Sequence, residues 1–283
     1  MQVQKKWMVY GMEELVYVDR KNTNCNKWDG QTGMFGEEGL HAMWVADMDF
    51  RVPQGVVDAL KEYVEQGVFG YYKIPESYYE AFIKWEKEQH GFTVEKKWMR
   101  FSPGVVAAFH WFVQVLSEPG DAVIVNTPVY YPFLHAVKNN NRKLICSDLI
   151  NEDGKYHIDY EDFEKKIAEN QVKIFILCSP HNPAGRVWKK EELKTLFEIC
   201  RKHQVYVISD EIHHDLIFSE HPHVPSLSVG EYADMMVAIT APSKTFNLAG
   251  GQNSIVIIPD DKLRKKWDTF VDGIRVRSGN PFG

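Results

Sequence analysis

Positive charge, disulfide spacing and membrane-length apolar runs are all scarce in this sequence, and each shortage removes a class of protein. Across 283 residues, 33 lysines and arginines are outnumbered by 39 aspartates and glutamates, a formal net charge of -6. No block of like charges forms a basic arm, so a nucleic-acid surface is not expected. The four cysteines, Cys25, Cys146, Cys178 and Cys200, fall at irregular spacing with no C-x-x-C. Cys146 and Cys178 lie in apolar strand-like runs and Cys200 in a helix-like one. That suits reduced, mostly buried thiols in a cytoplasmic protein. The opening MQVQKKWMVYGMEEL has no apolar core of signal-peptide length, and nothing approaches a membrane span. Internal repeats and low-complexity linkers are missing too. What remains is ordinary globular composition, 44% hydrophobic and 25% charged, in a chain long enough for one large domain or one domain plus a smaller one.

What is present is an alternation. Residues 1–50 are rich in loop formers, as in KNTNCNKWDGQTG. Apolar residues recur at helical spacing over 54–66 and 76–89. The stretch 104–116, GVVAAFHWFVQVL, reads as a helix apolar nearly all round and therefore buried. Continuous apolar runs then predict strands at 122–126, 143–148, 172–178, 205–210, 235–240 and 254–259. Helical patterns separate several of them, at 160–169 and 190–203. Such runs indicate an α/β fold, a mostly parallel sheet with helices on both faces in three layers. Ligands of such sheets gather at the carboxyl ends of the strands.

Polar segments stand at those ends: NTPVYYPF, CSPHNPAG, SDEIHHD and TAPSKT, with SPGVV opening the buried helix. Together they bring Tyr130, Asn182, Asp210, His213, Ser243, Lys244 and the backbone amides after Gly104 to one rim. Each has a plain alternative. Gly104 could simply start a helix, or it could let a phosphate approach free N–H groups at a positive dipole end. Asp210 could cap the next turn, or serve as counter-ion for a protonated ring nitrogen. Asn182 could be a turn residue between His and Pro, or a donor to a ring oxygen. Tyr130 could pack in the core or stack on a planar ligand. Lys244 could be a solvated loop lysine. An amine, a phosphate cradle, an acid for a pyridinium nitrogen, an amide donor and an aromatic stacker together describe the needs of pyridoxal 5'-phosphate.

In order, FGYY, SPGVVAAF, NTPVYYPF, SPHNPAGRVW, SDEIHHDLIF and APSKTFNLAG span residues 69–250. This series resembles the fold-type I pyridoxal-phosphate enzymes of aminotransferase class I/II. MWVADMDF near the N-terminus, His213 where transaminases usually carry tyrosine, and SKTFNLAG make it most similar to the MalY/PatB cystathionine β-lyase branch, the cysteine-S-conjugate β-lyases. The resemblance implies a pyridoxal-phosphate-dependent transferase-like large domain and a role for each matching position. Lys244 is expected as the Schiff-base lysine and Asp210 as partner of the pyridine nitrogen. Asn182 and His213 are expected at the ring oxygen and Tyr130 on the ring face. The amides of Val105 and Val106 and the hydroxyl of Ser243 are expected at the phosphate. Tyr71 is expected to reach the phosphate of a neighbouring subunit, making the active form a homodimer. Trp44 and the loop to Asp47 are expected to line the substrate entrance.

The implied reaction is α,β-elimination on a small amino acid with sulfur at Cβ, giving a thiol, pyruvate and ammonia. Transamination is the alternative fate, and only the resemblance favours elimination. Two departures stand out. Gln252 is neutral eight positions after the lysine, where many relatives are basic. The chain also stops where relatives continue into a small C-terminal domain, so the expected division is 1–50 as arm and entrance loop, 51–272 as cofactor-binding large domain, and 273–283 as the start of a truncated small domain. On that expectation a non-catalytic remnant is a third reading. A metal hydrolase built on DEIHHD with His221 and His223 is a weaker one: adjacent His213 and His214 should point apart, and no H-E-x-x-H supports them. No metal and no membrane partner are expected.

Overall fold

The computed structural model describes residues 6–7, 15–276 and 279–282. Parts of the expected N-terminal arm (1–5 and 8–14) and of the expected C-terminal segment (277, 278 and 283) lie outside them. Its centre is a seven-stranded sheet: β1 Met99–Ser102, β2 Ala122–Thr127, β3 Lys143–Asp148, β4 Ile174–Cys178, β5 Tyr206–Asp210, β6 Met236–Thr240 and β7 Ser254–Ile257. The spatial order is β1-β7-β6-β5-β4-β2-β3. β7 runs antiparallel to both its neighbours, while the pairs from β6 through β3 are parallel. Every residue of β4, β6 and β7 is buried. That is why these strands read as unbroken apolar runs rather than alternating ones.

Helices cover both faces. On one, α3 (Val105–Leu116), α4 (Pro132–Asn139) and α7 (Asp261–Ile274) pack Phe109, Phe112, Phe133 and Trp267 against Val125, Ile176, Ile208 and Val256. Phe112 stacks on Trp267 with ring centroids 4.4 Å apart. On the other, α5 (Tyr160–Asn170) and α6 (Lys190–Lys202) seat Phe163, Leu193, Leu196 and Phe197 against Ile124, Phe175 and Val207. Side chains buried this fully stabilise the fold by roughly 1.5–3 kcal/mol each. Of the two earlier helices, α1 (Gln54–Glu65) and α2 (Glu76–His90), the second leans its tyrosines and Phe82 on Ala238, Ile255 and Ile257.

The predicted elements sit within a residue or two of their places, with four differences. β1 was not anticipated, because Arg100 and Ser102 interrupt its apolar pattern. α4 lies inside NTPVYYPF, where proline at its first position starts a helix rather than prolonging a loop. The helix at 104–116 is not buried all round: Val106 and Gln114 are exposed, and its first turn faces the open end of the sheet. α7 runs on to Ile274, through the boundary expected at 272–273.

Candidate functional site

Register places Asp210, the last residue of β5, beside Cys178 of β4 and Ile239 of β6, at the carboxyl end of the parallel strands. In front of it opens a cleft of about 830 Å³. Gly104, Val105, Val106, Tyr130, Asn182, Asp210, His213, Ser243 and Lys244 all line it, with Trp44, Cys178 and Gln252. The strand ends thus bring together most of the residues expected there.

Asp210 is only 3% exposed. One carboxylate oxygen accepts from the Ile212 N–H at 3.1 Å. Burial, reinforced by Glu211 and opposed by Lys244, pushes its carboxyl up to about 7. Among the described residues, no lysine or arginine pairs with it at ion-pair distance. Lys244 sits on a single helical turn, Pro242–Thr245, whose proline starts it immediately after β6. Its Nζ donates to the Ala46 carbonyl at 2.7 Å. Burial lowers its pKa, against the pull of Asp47 and Asp210. His213 is held low by burial and by the Lys244 charge, so it faces the cleft as a neutral imidazole. Burial raises the Tyr130 phenol, which stays protonated. The Asn182 N–H donates to Cys178 Sγ at 3.3 Å, which leaves its side chain available to the cleft.

At the other end of the cleft α3 begins without a side-chain cap, so its first amides are unclaimed by any side chain. A Cβ built on Gly104 would meet nothing within 4 Å and would project into open space. Here glycine's role is room, since its backbone is extended. These features fit a phosphorylated, cationic-ring ligand: a donor-rich helix start for the anion, a buried acid for a ring N–H, and in the same cleft an amine whose pKa burial lowers.

Tyr71, expected at the phosphate of a neighbouring subunit, is fully exposed and lies outside this chain's own cleft. Asp47 also lies outside the lining: its carboxylate takes Arg20 Nη2 at 2.8 Å, while its neighbours Trp44, Val45 and Ala46 form the cleft wall. Several contributors were missed. Lys27 and Arg20 bind Asp49 at 2.8 and 3.2 Å. Asn247 accepts from the Met48 N–H at 3.0 Å and donates to the carbonyls of Met48 and Phe50 at 2.9 and 3.1 Å. This clamp ties the entrance loop to the lysine turn. The asparagine in SKTFN was its only visible sign.

Ile212 also lines the cleft, whereas Glu211, His214 and Asp215 of SDEIHHD do not. Glu211, His214 and Asp215 enter a buried compartment with Glu86 and His90 of α2 and with His223. The expectation that His213 and His214 point apart is met. His221 is exposed.

The model of the aminotransferase class I and II family matches residues 45–272. Cystathionine beta-lyase PatB of Bacillus subtilis (strain 168) is 46% identical over 88% of the chain and 65% of its own length. Protein MalY of Escherichia coli (strain K12) is 32% identical over 93% of the chain and 66% of its length. The chain therefore spans about two thirds of these relatives. Among solved structures, cystalysin from Treponema denticola, which contains a pyridoxal 5'-phosphate cofactor, superposes with a TM-score of 0.89 at 38% identity, over 94% of this chain and 69% of that one.

Proposed function

The chain belongs to the aminotransferase class I and II family, and on that premise we propose that it is the cofactor-binding part of a pyridoxal-phosphate-dependent carbon–sulfur β-lyase. The observation that carries this reading is a buried carboxylate, Asp210, with no lysine or arginine at ion-pair distance among the described residues, sharing one cleft with a lysine of lowered pKa. Residues 51–272 are the cofactor-binding unit of the proposal. When bound, pyridoxal phosphate supplies an electron sink that lets an amino acid lose its α-proton and then a β-substituent.

The residues of the chain do the rest. Asp210, ionised once it faces a ring N–H, holds that nitrogen protonated. Asn182 and His213 donate to the ring oxygen, and Tyr130 covers one ring face. The amides of Val105 and Val106 with the Ser243 hydroxyl hold the phosphate. Gln252 adds no charge there, so amides and hydroxyls bear the anion. Lys244 Nζ would anchor the cofactor and, its pKa lowered by burial, would take the proton from the substrate Cα. Trp44 walls the entrance. Tyr71, exposed on its own subunit, reaches the phosphate of a second copy in a homodimer.

The proposed substrate class, an amino acid with sulfur at Cβ, rests on the likeness to the Bacillus cystathionine beta-lyase. Incubating the chain and cofactor with cystathionine tests it: equal release of thiol and pyruvate supports elimination. A keto acid that retains the sulfur would assign transamination instead.

A further inference from the structure

Behind the β5 turn, three histidines and three carboxylates share a compartment. Glu86 and His90 come from the end of α2, His214 and Asp215 from the turn after β5. One oxygen of Glu86, one nitrogen of His90 and one nitrogen of His214 lie within 4.8 Å of one another. Glu86 is 2% exposed. Its Oε1 has no hydrogen-bond partner, yet it faces His214 Nδ1 at 3.8 Å. That distance is too long for a hydrogen bond. It is close to the roughly 3.3–3.6 Å that separates ligand atoms around a tetrahedral ion with bonds of about 2.0–2.2 Å.

Asp215 supplies the next layer. Its Oδ1 accepts from His90 Nε2 at 2.7 Å, and its Oδ2 faces His214 Nε2 at 3.2 Å. A carboxylate that takes one N–H of an imidazole leaves the opposite nitrogen with its lone pair, as in metal-bound histidines. In His214 that opposite nitrogen is Nδ1, the one turned to Glu86. Among the described residues, the ion-pair partners of Glu86, Glu211 and Asp215 are histidines, with no lysine or arginine. A dication would offset the negative charge that neutral imidazoles leave.

We propose that Glu86, His90 and His214 form a buried site for a divalent transition-metal ion of the zinc class, with Asp215 orienting the imidazoles. The mixed imidazole and carboxylate set suits zinc rather than calcium or magnesium, which take oxygen ligands. None of the four residues lines the cleft. The ion is therefore structural, tying α2 to the turn that follows Asp210.

The test uses the full chain, stripped with a chelator and without added cofactor, titrated with zinc against a chromophoric competitor. One equivalent per chain and a rise in Tm with zinc are expected. Glu86→Gln, which keeps the shape, and His214→Ala should each weaken binding at least ~10-fold, and Asp215→Asn by about 10–100-fold. His221→Ala, an exposed histidine nearby, should bind as the parent does. Absence of stoichiometric binding, or binding unchanged in Glu86→Gln and His214→Ala, would overturn the proposal. Cobalt on the unmodified chain decides independently of how the variants fold. Intense visible bands of a four-coordinate ion support the site, and only the pale spectrum of hydrated cobalt contradicts it.

Discussion

One heptapeptide, SDEIHHD, feeds two polar regions that differ in how their charges are met. On the cleft side, Asp210 accepts one backbone N–H and is pushed up to about 7, chiefly by burial. Behind the turn, Asp215 accepts from Trp85 Nε1 at 3.1 Å, His90 Nε2 at 2.7 Å and Thr245 Oγ1 at 2.6 Å, and faces His214. Burial works against that carboxylate too. Hydrogen bonds from His214, His90 and Thr245 outweigh it and hold Asp215 well below the usual carboxylate range. Two buried acids five positions apart are thus displaced in opposite directions. The first is met by one backbone N–H, and the second is held by several side-chain donors from α2 and the lysine turn. Thr245 makes the link, since it adjoins Lys244.

That contrast can be broken in graded steps. The largest effect is expected from Lys244→Ala: loss of the amine that moves the substrate proton should cut turnover by at least roughly 10²–10⁴-fold, read as pyruvate release with the fold checked by circular dichroism. Asp215→Ala comes next. It should cost about 3 kcal/mol in urea unfolding, because it strands buried donors and histidines. An equal loss from Asp210→Ala in the cofactor-free chain would erase the distinction.

Asp210→Asn probes the sign. Without cofactor, the folded-state pKa of Asp210 lies above its unfolded value, so folding takes up a proton. The stability this contributes is full below about pH 4 and is lost as pH rises towards 7. The slope is at most about 1.4 kcal/mol per pH unit. Asparagine should flatten that slope and leave the cofactor-free chain more stable than the parent at pH 8, while weakening cofactor capture. Thermal melts from pH 4 to 8 would measure both arms. The smallest effect is expected from Asn247→Ala. Releasing the loop at Met48 and Phe50 should speed hydrogen exchange of those amides while shifting the global Tm little, since loop bonds to one side chain are worth about 1 kcal/mol each.

The cleft side was far more legible than its reverse. Strand ends are visible in a parallel sheet because β4, β5 and β6 are buried on both faces and stop abruptly at polar segments. That alone placed Asn182, Asp210, Ser243 and Lys244 together. The segment between β6 and β7 likewise showed its lysine turn. Nothing local announced that Glu86 and His90 meet His214, because the contact joins α2 to a turn more than a hundred residues later, as with His90 and Asp215. In the sequence α2 showed only apolar residues at helical spacing, which says nothing of where Glu86 and His90 end up. β1 was hidden for a related reason: Arg100 leaves the strand to pair with Asp268 of α7 at 2.6 Å, a partner its own neighbourhood does not show. Asp47 follows the cleft-wall residues Trp44–Ala46, and its contact with Arg20, which spans a loop, was not visible locally.

The central claim is that Lys244 holds the cofactor against Asp210. The most direct measurement is the absorbance spectrum of the purified chain with added pyridoxal phosphate, followed by borohydride reduction and peptide mass mapping. The account predicts a visible band that borohydride fixes covalently on the peptide containing Lys244, and that Lys244→Ala lacks. Label spread over surface lysines, or a band unchanged in that variant, would contradict it.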